Sequence, residues 1–120
     1  METRQKQFDR WLDGILSRLD ADFQAYCFNV YECLPRDCYT VELTGFRGND
    51  DDWANDVENY ASRNDNDEFG ISGVDDLEQC LIEVGGLIAA YLKQGRYADK
   101  LKKAQKICYG FIDGDLYTVE

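Results

Sequence analysis

The chain contains no histidine. That removes the commonest zinc partner and the commonest general base together. Its five cysteines are Cys27, Cys33, Cys38, Cys80 and Cys108, and no two form a CxxC pair. A thiolate zinc site would need four of them to converge from unrelated spacings. The longest apolar stretch, Leu87 to Leu92, is far too short to span a bilayer. Met1 to Arg10 is polar and holds no signal-peptide core, so a soluble, cytoplasmic protein is expected. The GxGxxG, P-loop and GxSxG patterns are missing too. A cysteine nucleophile would have only lysine or a carboxylate for its base. The expectation is a protein that is not an enzyme and carries no cofactor and no metal.

What is present is globular. The chain has 120 residues, 44% apolar and 13% aromatic. That is the size of one domain, able to bury a core without staples. A disordered acidic chain would lack its six Phe, eight Tyr and two Trp. The cysteines read as reduced, partly buried thiols of a cytosolic domain. Cys33 and Cys38 could face each other across a hairpin, which leaves a disulfide open in an oxidising compartment.

Net charge is −11, and its distribution matters more than its sum. Eleven acids and one base, Arg63, lie between Asp50 and Glu78, so that segment carries −10. The other 91 residues hold 13 acids and 12 bases. Such a field disfavours nucleic acid and anionic membranes and favours a basic partner. A merely solubilising surface is the alternative.

The hydrophobic pattern places the elements. Phe8, Trp11, Leu12, Ile15, Leu16 and Leu19 share one face of a helix over Thr3 to Leu19. Phe23 to Glu32 is rich in aromatic and β-branched residues and reads as a strand. A turn at Leu34-Pro35-Arg36-Asp37 leads into a half-buried strand, Cys38 to Phe46, with Tyr39, Val41 and Leu43 inward. Trp53 to Tyr60 fits a helix face or a short strand, and a third strand is expected. Ser62 to Gly73 reads as a loop. Asp75, with Glu78 three residues on, resembles a capping box for a helix over Leu77 to Leu92, with Gly95 capping its end. Gly85 and Gly86 inside it suggest a close approach by another element, with the first helix as candidate. Arg96 to Ala104 reads as a short basic helix whose charge partly complements the acidic segment. Ile107 to Ile112, Asp113-Gly114 and Asp115 to Val119 read as a closing hairpin. The whole predicts a two-layer α+β domain over residues 1–120, a mainly antiparallel sheet with helices on one face.

A calcium loop matches Asp65, Asp67, Gly70 and Asp76 only loosely, because Phe69 stands at a ligand position and Asp76 replaces the bidentate Glu. Binding is the stronger reading. Trp53 and Tyr60 interleave with Asp50, Asp51, Asp52, Asp56 and Glu58, followed by Asp65, Asp67 and Glu68. Aromatic anchors among carboxylates suit an interface to a basic protein: rings supply buried area, and charge speeds encounter.

Val41-Glu42-Leu43-Thr44-Gly45-Phe46, then Asp50-Asp51-Asp52-Trp53-Ala54, a long helix and the closing Gly110-Phe111-Ile112-Asp113-Gly114-Asp115-Leu116 hairpin resemble small bacterial immunity proteins. These belong to polymorphic toxin and contact-dependent growth inhibition systems. The likeness covers about two-thirds of the chain, through short motifs, and is not to one subfamily. It implies a cytoplasmic antidote that occludes the active site of a toxin C-terminal domain, often a basic nuclease. The acidic segment would then replace a phosphate backbone. The alternative is an adaptor or interaction domain whose acidity serves solubility.

Overall fold

The computed structural model describes residues 3–19, 23–33, 38–46, 60–62, 68–74, 76–104, 106–111 and 117–118. Helix α1 spans Arg4–Arg18. Thr3 starts it, its hydroxyl accepting from the Lys6 amide at 3.2 Å, as an N-cap does. The apolar stripe buries Phe8, Leu12, Ile15 and Leu16, with Trp11 half-buried beside them.

Strands β1 (Ala25–Cys33) and β2 (Cys38–Phe46) pair antiparallel along their full length, from Ala25 opposite Phe46 to Cys33 opposite Cys38. Strands β3 (Tyr60–Ala61) and β4 (Phe69–Ser72) both pair with the outer edge of β2. Helices α2 (Leu77–Gln94) and α3 (Ala98–Lys102) then carry the chain across to β5 (Lys106–Phe111), which lies parallel to β1. Strand β6 (Tyr117–Thr118) closes that side against β5. The order across the sheet is β3-β2-β1-β5-β6, with β4 beside β3's place on β2. The domain is α+β with a mainly antiparallel sheet.

The helices pack on one face of it. Tyr26, Phe28, Val30, Tyr39, Val41 and Leu43 meet Phe8, Leu12, Ile15, Leu16, Val84, Ile88, Tyr91 and Leu101 in one core. Phe8 sits at its centre, edge-on to Phe69 and Tyr91 and tilted against Trp11 and Phe28. Removing a ring so placed costs about 3–5 kcal/mol.

Four expectations change. The stretch read as a loop, Ser62 to Gly73, contains β4, whose Phe69 and Ile71 are buried while Gly70 and Ser72 face out. Pairing with β2 overrides the turn composition around it. The cap of α2 is Asp76, not Asp75: its carboxylate accepts from the Gln79 amide at 2.9 Å. The element that approaches Gly85 is β5, not the first helix. A Cβ there would lie 2.5 Å from Tyr109 Oη. Strand β2 is buried on both faces from Val41 to Phe46, not on one. The expected third strand at Trp53 to Tyr60 is described only at its end, as β3. The Asp113-Gly114 turn lies outside the described residues.

Candidate partner-binding surface

Two described pieces of the acidic segment lie on the sheet's β2 edge. Tyr60 lies on β3 opposite Gly45, and Glu68 is exposed directly before β4. Asp50, Asp51, Asp52, Trp53, Asp56, Glu58, Asp65 and Asp67 lie outside the described residues. Phe46 ends β2, Tyr60 re-enters on the same strand's edge, and Phe69 re-enters again, opposite Val41. Asp76 and Glu78, the last acids of the segment, stand at the start of α2, where the helix dipole favours them.

Behind that edge, the sheet face away from the helices carries a buried polar cluster. Glu42 has no exposed surface, and Asn29 Nδ2 donates to its Oε1 at 3.2 Å. The Thr44 hydroxyl donates to the Cys27 carbonyl at 3.0 Å, and the Ser62 hydroxyl accepts from the Leu43 amide at 3.0 Å. Cys27 and Cys108 are register partners on β1 and β5, and both thiols are free. Burial pushes the Cys27 thiol up to about 12, with Cys108 and the Glu42 carboxylate adding to the effect. Burial raises Cys108 too. Thiols held this far from ionisation are poor nucleophiles. Cys38 is disulfide-bonded, which takes the alternative left open beside reduced thiols. The reason is register: the hairpin sets Cys33 directly opposite Cys38.

The basic segment is not simply solvated. Lys100 Nζ donates to the carbonyls of Leu16, at 3.0 Å, and Leu19, holding the open end of α1. Nearby, the Tyr91 hydroxyl donates to Asp13 Oδ1 at 2.6 Å and accepts from the Tyr97 amide at 3.2 Å. Burial and the Asp13 carboxylate raise the Tyr91 phenol above its ordinary range. At the other end of α1, Arg4 pairs with Glu83 of α2 and donates to the Ser72 carbonyl at 2.6 Å.

The opposite edge of the sheet has a surface that sequence reasoning missed. Glu78, Leu81 and Ile82 of α2, with Tyr109 of β5 and Tyr117 of β6, line an open groove of about 230 Å³. Ile82 is 62% exposed and Tyr117 47%, the large exposed apolar side chains among the described residues. The signal was present. Ile82 falls outside the period of Leu77, Cys80, Leu81, Val84 and Ile88, and Gly85 marks the seat of Tyr109.

Compared with family models, with curated proteins and with solved structures, the chain matches none. Among the described residues no group of three or more Cys, Asp or Glu side chains could hold a metal. No described helix is long and apolar enough to cross a membrane.

Proposed function

We propose that the protein is a cytoplasmic immunity protein. It binds the C-terminal domain of a cognate toxin, a basic nuclease, and occludes its active site with an acidic surface. The observation that carries this is charge placement: −10 of the net −11 falls between Asp50 and Glu78. What supports it further is topology, since Tyr60 and Phe69, inside that segment, both sit on the β2 edge of the sheet. A protein using acidity only for solubility has no need to gather it there. In this reading Asp50, Asp51 and Asp52 steer encounter, and Trp53 and Tyr60 anchor the complex.

The test is co-expression with the toxin domain encoded beside it. The protein should restore growth and form a one-to-one complex whose association slows steeply with salt. Replacing Asp50, Asp51 and Asp52 together by Asn should slow association at low salt about tenfold or more, with the thermal midpoint unchanged. Unchanged association and protection in that variant would sink the acidic-surface reading.

A further inference from the structure

We infer that the groove between α2 and the β5–β6 hairpin seats an arginine side chain from a basic protein partner. The inference rests on the proposed function only for the partner's identity; the chemistry of the groove stands by itself.

Its floor exists because Gly85 lacks a side chain. The Tyr109 hydroxyl lies 2.5 Å from where a Cβ would be, so the phenol ring lies against the helix. Tyr117 stands beside it, ring centroids 5.5 Å apart and planes within 31°. Leu81 and Ile82 form the aliphatic wall, and Glu78 completes the lining. Glu78 is exposed and makes no hydrogen bond or ion pair among the described residues. Two aromatic rings, an aliphatic wall and an unengaged carboxylate match the parts of arginine: a methylene stem and a planar cation.

Size selects a side chain over a cofactor. The volume of about 230 Å³ lies below the range of roughly 300–1,000 Å³ usual for small-molecule pockets. Charge selects a cation over an apolar insertion, because Glu78 is the member of the lining that is charged at neutral pH and it is an acid. Exposed Ile82 and Tyr117 then have a use, as the apolar contacts of an interface.

The test is an NMR titration of the full chain with two peptides, acetyl-Ala-Leu-Arg-Leu-Ala-amide and the same peptide with citrulline for arginine. Citrulline keeps the shape and loses the charge. The arginine peptide should shift the amides of residues 78–82, 109 and 117 and bind about tenfold tighter than its neutral twin. Glu78→Gln should remove most of that preference, while Ile82→Ser weakens both peptides. Equal binding of the two peptides would overturn the inference, as would shifts confined to β3 and β4. So would peptide-free, concentration-dependent shifts at the groove, which would mean that a second copy occupies it. The two proposals fail separately. Arginine selectivity without toxin protection removes the immunity reading alone. Full protection by a protein whose groove ignores arginine removes this one alone.

Discussion

Gly85 and Gly86 are neighbours in one helix, and alanine should act on them in opposite directions. Alanine at a helix interior gains about 1 kcal/mol over glycine from backbone entropy alone. At Gly86 nothing lies within 4 Å of the added Cβ, so the gain should appear in full. At Gly85 the Cβ would sit 2.5 Å from Tyr109 Oη and 2.8 Å from Cζ. The ring must swing away from the helix. It is rigid and bounded by Tyr117, so the displacement forfeits packing. Overpacking of this kind costs about 1–3 kcal/mol. Gly86→Ala should therefore stabilise by about 1 kcal/mol, while Gly85→Ala ranges from neutral to about 2 kcal/mol destabilising. Urea unfolding at constant m-value measures both. A control isolates the cause: in a Tyr109→Ala background, Gly85→Ala should turn stabilising, because its obstacle has gone. If Gly85→Ala stabilises as much as Gly86→Ala in the unaltered chain, Tyr109 does not rest on Gly85 and the groove has no floor.

Two further outcomes follow from the cysteines. The Cys27 thiol is raised in the fold from 9.0 to about 12, so its contribution is complete below pH 9 and is lost as pH rises towards 12. The stability difference between the native protein and Cys27→Ala should shrink by about 1.4 kcal/mol per pH unit above 9, and parallel curves from pH 8 to 11 would refute it. Cys38 is disulfide-bonded and stands opposite Cys33 in register; a bridge between the two would close a loop of roughly six residues, worth about 2 kcal/mol in the chain-entropy account. Reduction should lower the thermal midpoint by several degrees while leaving the far-ultraviolet spectrum folded; complete unfolding on reduction would show that the hydrophobic core cannot hold the domain alone.

Much of the fold was legible because its long elements carry clean periods. The Phe8 to Leu19 stripe and the Leu77 to Leu92 stripe each mark one helix face; the turn read at Leu34 to Asp37 lies outside the described residues. What escaped was decided by tertiary pairing. Phe69-Gly70-Ile71-Ser72 alternates over only four residues amid Asn, Asp and Gly, and it is a strand because β2 offers an edge. Glu42 and Thr44 alternate with inward residues and so read as solvent-facing, yet both are buried on the second face of the sheet. No local pattern announces a second covered face. The candidate surfaces divide in the same way. Charge in a linear sequence reveals an acidic segment, but a groove assembled from α2, β5 and β6 leaves only one mark, a large apolar residue out of period.

Strand β3 and the groove lie at opposite edges of one sheet, and that has a measurable consequence. Tyr60 sits on β3, and the groove ends on β6, at the far end of the order β3-β2-β1-β5-β6. Four strand spacings of about 4.8 Å separate them by roughly 19 Å. A standard interface covers about 800 Å² per partner, a patch about 32 Å across if round, so one partner can reach both. Acidic residues acting at the β3 edge, as proposed, would share no direct contact with the groove, and substitutions should then add. Asp50, Asp51 and Asp52 changed to Asn should act mainly on the association rate, since steering charges work before contact. Ile82→Ser should act mainly on dissociation, since a desolvated apolar contact holds only after docking. The combined variant should show the sum of the two free-energy losses within about 0.5 kcal/mol. Ile82→Ser without effect on either rate confines the partner to the β2 edge. Losses far short of additive mean that both sets serve one contact, and the division of the molecule into two surfaces is then wrong.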